Sequence, residues 1–408
     1  MTDYVAWRGD IDLATSPWNE IDALLMATVC YLNFHGVDNA KGWTLEEADR
    51  IDLLQPSPFA SFPPRRDTFR AMAKSRRFKD CRIHHFIALT NPEMEMQFSA
   101  MCIDIPDGSL CVAFRGTDNT LIGWREDFNM AYQPVVPGQE AARVYLERVA
   151  AVTDRPIRLV GHSKGGNLAV YSAACASEEI QDRIESIWDF DGPGMHHDIF
   201  GSEGYARIVD RIYDYVPQTS IIGLLMDHCE KYTVIRSTAS GISQHDPMTW
   251  QVYGPRFEEL ESIDQTASVV RETLHEWLEN STPEQRGAFV DTMFKLAETT
   301  NATTMSELTN EKLKNLMRMI GNRKEVPPEA RRIFNRLMAQ AVTLGFGNVM
   351  DRVRNRKDNE GGEVRGEKKL TEAAAEKKPA ETTTEKKITE ATAEKKPAEA
   401  SEEKSAGG

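Results

Sequence analysis

Ile157-Arg158-Leu159-Val160-Gly161-His162-Ser163-Lys164-Gly165-Gly166-Asn167-Leu168-Ala169-Val170-Tyr171 is the stretch on which the fold turns. A short β run stops at Gly161, and a helical run starts just after Ser163. Between them stands G-x-S-x-G, the pattern of a nucleophile elbow. Such a turn is tight, so the residues two before and two after the serine must be small; Gly161 and Gly165 meet that need. The elbow lifts a hydroxyl above the sheet. It also sets the next backbone N–H at a helix N-terminus, where it can stabilise an oxyanion.

Outward from the elbow, strand-like runs are expected at Ile83–Thr90, Gln97–Ile105, Leu110–Arg115, Ile157–Val160, Ile184–Phe190, Arg211–Val216 and Tyr232–Ser237. A helix is signalled at Ser16-Pro17-Trp18-Asn19-Glu20, and others near Glu140–Val152 and Asn167–Ala176. Adjacent early strands followed by strand–helix alternation predict an α/β class: an α/β-hydrolase fold with a mixed, mostly parallel sheet. Residues 1–254 form that domain in this reading. Residues 255–355 read as a helical accessory region, with starts at Ser281-Thr282-Pro283-Glu284 and Pro327-Pro328-Glu329. Residues 356–408 carry Glu-Lys-Lys at 367, 376, 385 and 394 and no aromatics, so a disordered tail is expected there.

The formal charge of −14 arises wholly in residues 1–350, with 49 acidic against 35 basic side chains. An acidic globular part argues against nucleic acid as a partner. Six cysteines show no CxxC pair and no zinc-ligand spacing with histidine, so no metal site is expected. No P-loop or G-x-G-x-x-G is present, and no cofactor is implied. The N-terminus lacks the pattern of a signal peptide, and no apolar run reaches membrane-spanning length; a soluble, cytoplasmic protein is expected.

A serine nucleophile needs a base and an acid, in the chain order Ser, acid, His. Among the acids Asp189, Asp191, Asp214 and Asp227, Asp214 is preferred because it falls at the C-terminal end of the run Arg211-Ile212-Tyr213. Asp189 and Asp191 read as turn stabilisers ahead of Gly192-Pro193-Gly194. Among the later histidines, His245 in the loop Ser240–Pro247 is preferred as base, with His228 as the alternative. His162 reads as a packed elbow residue. Arg115 reads as a structural ion-pair partner of Asp127.

Gly-His-Ser-Lys-Gly-Gly-Asn resembles the elbow of the class 3 lipases. With lysine at 164, it is closer to a family of uncharacterised bacterial lipase-like proteins. Phe114-Arg115-Gly116-Thr117 and Asp214-Tyr215-Val216-Pro217 carry the same resemblance, which spans about residues 1–255. It implies a serine hydrolase acting on a small-molecule ester or lipid-like substrate. It supports Asp214 as the acid and implies an oxyanion hole from the backbone of Thr117 and Lys164, with the Thr117 hydroxyl as a further donor. It also implies that the stretch Phe128–Tyr132 leads into a lid. The Lys164 side chain is expected to favour anionic substrates or to point to solvent. The apolar run Ile221–Met226 reads either as a core segment or as the lining of an acyl pocket through Ile221, Leu224 and Leu225. Two other readings share the sequence: a non-catalytic scaffold of the same fold, and an acyltransferase or thioesterase with the same triad.

Overall fold

Alternation explains the sheet. In a strand, successive side chains point to opposite faces, and here both faces are apolar, so the strands read as continuous hydrophobic runs. Met101, Ile103, Cys111, Ala113 and Val160 belong to one buried cluster, while Ala100, Cys102, Val112, Phe114 and Leu159 belong to the other. The computed structural model describes residues 1–34, 41–51, 62–118, 120–220, 222–223, 225–226, 231–264, 278 and 280–298.

The strands are β1 (Trp43–Thr44), β2 (Arg82–Asn91), β3 (Met96–Asp104), β4 (Leu110–Phe114), β5 (Ile157–His162), β6 (Ile184–Phe190), β7 (Ile212–Pro217), β8 (Tyr232–Ile235), β9 (Val252–Tyr253), β10 (Arg256–Phe257) and β11 (Glu259–Leu260). Nine form one sheet in the order β1-β2-β3-β4-β5-β6-β7-β8-β11, and β9 and β10 pair separately. The pairings from β4 to β8 are parallel, and those at either end of the sheet are antiparallel. The seven strand-like runs of the sequence fall on β2 to β8. The antiparallel edge strands β1 and β11 are two residues each, too short to leave a periodic trace. Position 254 lies between β9 and β10, so the sheet system continues past it.

The helices used below are α1 (Glu20–Val29), α2 (Phe62–Lys74), α3 (Leu121–Asn129), α4 (Pro137–Ala150), α5 (Lys164–Ala174) and α6 (Pro283–Glu298). Parallel strands that advance in one direction with right-handed crossovers place the connecting helices on one face. Accordingly, Ala142 and Leu146 of α4 and Leu168 and Ala169 of α5 join the same cluster. The opposite face is covered by α1, whose Ile21, Leu24 and Leu25 are fully buried, and by Phe69 and Met72 of α2. Asn19 starts α1 by accepting the backbone N–H groups of Ile21 and Asp22.

Thr282 and Gln285 exchange the reciprocal capping bonds that start α6. The helix packs on α3: Phe294 meets Phe128 edge-to-face at 5.9 Å, and Asp291 holds Arg125 at 2.6 Å. Arg286 adds a bond to the Ala131 carbonyl at 2.9 Å. The stretch Phe128–Tyr132, expected to lead into a lid, is thus the end of α3 and its turn, packed against α6. No described helix is long and apolar enough to cross a membrane. The helix start at Pro327 and the repeat tail lie outside the described residues.

Candidate active site

Ser163 sits between β5 and α5 with φ 59° and ψ −136°. A non-glycine residue in that region is strained, at a cost of about 1–3 kcal/mol, and persists only when its surroundings hold it. Here they do. Its N–H donates to the Phe190 carbonyl at 2.9 Å, and its own carbonyl accepts from Gly166 N–H at 2.8 Å. The flanking glycines are required by close approach. An added Cβ on Gly161 would lie 2.0 Å from the Gly165 carbonyl oxygen, and one on Gly165 would lie 2.2 Å from that of Phe114.

The histidine–carboxylate pair differs from the sequence expectation. His245 Nδ1 lies 2.6 Å from Asp191 Oδ2, so the carboxylate that orients this imidazole is Asp191 and not Asp214. The reason is depth in the sheet. Asp191 directly follows β6, at φ 58°, on the C-terminal edge where the elbow also stands. Asp214 lies inside β7, in register with Asp189 of β6, within the sheet layer. Asp191 is also built for the task. Its Oδ1 accepts from the Ser220 hydroxyl and from Gly223 N–H at 3.2 Å, which leaves Oδ2 aimed at the imidazole. Asp189 braces the elbow instead: its Oδ1 accepts Gly192 N–H at 2.9 Å and lies 1.8 Å from where a Cβ on Gly166 would stand.

An imidazole that donates from Nδ1 keeps its lone pair on Nε2, the nitrogen a general base needs. His245 ends a short 3₁₀ turn (Gly241–His245), and His162 holds that turn in place. His162 Nε2 donates to the His245 carbonyl at 2.7 Å, while its Nδ1 accepts from the Tyr31 hydroxyl at 2.8 Å. Burial keeps the His162 imidazole well below the usual histidine range, so it stays neutral. His162 is therefore a brace beneath the loop, a role that a histidine adjacent to the serine does not reveal by its position.

Lys164 is neither at the surface nor aimed at a substrate. Its side chain is fully buried, with Nζ 2.8 Å from Glu126 Oε2, 2.8 Å from the Gln97 carbonyl and 3.8 Å from Asp127 Oδ1. Glu126 in turn accepts N–H groups from Gln97 at 2.9 Å and Gly138 at 2.7 Å. The lysine thus ties α5 to β3 and α3 beneath the elbow. Breaking a buried pair by removing one partner costs about 3–5 kcal/mol. Lys164→Met should lose that much in urea unfolding, and Lys164→Met/Glu126→Gln should lose less than the two single losses added together. A single-mutant loss under about 1 kcal/mol would contradict the pairing.

The backbone N–H of Lys164 is among the first of α5, and such groups have no acceptor within their helix. Gly116 packs onto the elbow: a Cβ there would stand 2.9 Å from Ser163 Cβ, which brings the next residue, Thr117, alongside. The Thr117 hydroxyl donates to Asp127 Oδ2 and so is not directed at Ser163, contrary to expectation. Arg115 pairs with Asp118 at 3.7 Å, not with Asp127. Leu225 is half-buried, and its carbonyl accepts Gly194 N–H at 2.8 Å, tying the loop around Gly223 to the turn after Asp191. Ile221, Leu224, Asp227 and His228 lie outside the described residues.

Asp127 carries a second signature. Burial raises its carboxyl from 3.8 to about 6, against the opposing pull of Lys164 and the Thr117 hydroxyl. A carboxyl raised on folding binds more protons in the folded chain, so it weakens stability as pH climbs from about 4 through 6. Asp127→Asn keeps an acceptor for Thr117 and cannot ionise. It should match wild-type stability near pH 4 and exceed it at pH 7. Equal differences at both pH values in urea unfolding would contradict this.

Residues 72–295, more than half of the chain, match the model of the Mbeg1-like family. The span runs from the end of α2 into α6 and contains the elbow, Asp191 and His245. No curated protein matches the chain.

Proposed function

The chain belongs to the Mbeg1-like family, a lipase-like family, and on that premise we propose that it is a serine hydrolase of α/β-hydrolase fold. It cleaves an acyl ester or lipid-like substrate through an acyl-enzyme on Ser163. One observation carries the reading: a serine held at φ 59° between strand and helix, with a histidine–carboxylate pair of 2.6 Å ending at the same sheet edge.

In this reading His245 Nε2 takes the Ser163 proton as Oγ attacks the ester carbonyl. The oxyanion of the tetrahedral intermediate is held by the backbone N–H groups of Lys164 and Thr117, aided by the positive end of α5. The protonated imidazole, steadied by Asp191, then gives its proton to the leaving alkoxide. Water activated by the same nitrogen releases the acid. The apolar run that contains Leu225 is the part of the chain assigned to the acyl group, and each buried methylene contributes about 0.8 kcal/mol up to the pocket's length.

The test is kcat/KM for p-nitrophenyl esters from acetyl to decanoyl, in wild type and in Leu224→Ala/Leu225→Ala. A rise to an optimum that shifts in the variant is expected. Absence of hydrolysis across the series would overturn the assignment, and a flat profile would overturn the acyl pocket.

A further inference from the structure

Neighbouring residues on a strand point to opposite faces, so His84 and His85 of β2 should not meet. They do. The register of β2 against β3 shifts between His84 and Ile87, and His85 takes up φ 51°. This bulge turns its ring back onto that of His84, with centroids 4.8 Å apart and the two Nδ1 atoms 2.5 Å apart. A bulge re-aims a side chain, and a histidine with positive φ is a strained choice for one. Directly across the ladder from His84 stands Cys102, and its Sγ lies within 4.8 Å of both imidazoles.

We propose that His84, His85 and Cys102 form a binding site for one thiophilic divalent cation of the zinc type. Two imidazole nitrogens and a sulfur are the donors such an ion takes, and three protein ligands leave a fourth position for water. Both imidazoles bind through Nδ1. Cys102 binds as thiolate, its proton passing to solvent. The surroundings match what metal-bound histidines use. His84 Nε2 lies 3.0 Å from Asp104 Oδ1, and Asp104 is held by Arg155; a carboxylate on the outer nitrogen fixes the tautomer that leaves Nδ1 for the metal. The Tyr145 hydroxyl lies 3.4 Å from Cys102 Sγ and donates to the His85 carbonyl at 2.8 Å, pinning the bulge and the sulfur together. Cys102 is buried, whereas His85 is exposed and opens the site to entering ions. The cluster lies on the antiparallel side of the sheet and uses none of the residues assigned to ester cleavage.

The experiment titrates the full chain, freed of metal, with Zn²⁺ by calorimetry and with Co²⁺ by absorbance. One Zn²⁺ per chain is expected, together with a thiolate-to-Co²⁺ charge-transfer band. Cys102→Ser should abolish the band. His85→Ala, at an exposed position that tests the site even if the cysteine variant misfolds, should weaken Zn²⁺ binding at least 100-fold. Asp104→Asn should weaken it about 10- to 100-fold. His196→Ala/His197→Ala removes the other adjacent pair of histidines and should leave binding intact. Failure of the wild type to bind Zn²⁺, a Co²⁺ spectrum without the thiolate band, or wild-type affinity in His85→Ala overturns the proposal.

Discussion

Ser163→Ala should reduce ester turnover by about 10⁶-fold, the scale of loss when a triad's nucleophile is removed, while the protein stays folded. The fold survives because the strain at φ 59° belongs to the backbone and to Cβ, and alanine keeps both. The bonds from Ser163 N–H to Phe190 and from Gly166 to the Ser163 carbonyl are main-chain bonds and remain. Only one oxygen is lost from a nearly buried site. Circular dichroism and a melting temperature within a few degrees of wild type should accompany the loss of turnover. Residual activity close to wild type in a folded variant would move the nucleophile elsewhere.

Asp191→Asn should lower kcat by about 10⁴-fold, through the imidazole. The amide is nearly isosteric, and Ser220 and Gly223 continue to donate to Oδ1. The group facing His245 then becomes an N–H donor. His245 Nδ1 must turn acceptor, Nε2 takes the proton, and the nitrogen facing the nucleophile can no longer act as base. Asp189→Asn is the informative contrast. Its oxygen still accepts Gly192 N–H, so turnover should change less than about tenfold. A loss near 10⁴ in Asp214→Asn, with Asp191→Asn unaffected, would restore the acid first expected.

That comparison also marks where the sequence stops being readable. The elbow was legible because its requirements are local: a strand, two small residues at fixed spacing and a helix. His245 was legible as a loop histidine placed after the last parallel strand. The acid was not. In the sequence Asp189, Asp191 and Asp214 all follow short apolar runs, and whether a carboxylate stands in the sheet or above its edge depends on register and on where pairing stops. Lys164 illustrates a different limit. A charged residue beside a serine reads as exposed, because its counter-charge on Glu126 and its carbonyl partner on Gln97 lie 38 and 67 positions away. The His84–His85–Cys102 cluster is a third case: a β-bulge and a cross-strand register assemble it, and neither leaves a spacing to count.

Labelling with a fluorophosphonate, read by intact mass and peptide mapping, tests Ser163 as the nucleophile most directly. One adduct per chain on the peptide bearing Ser163, absent from Ser163→Ala, is the predicted result. No adduct on the folded wild-type protein, or an adduct on another residue that persists in Ser163→Ala, would contradict it.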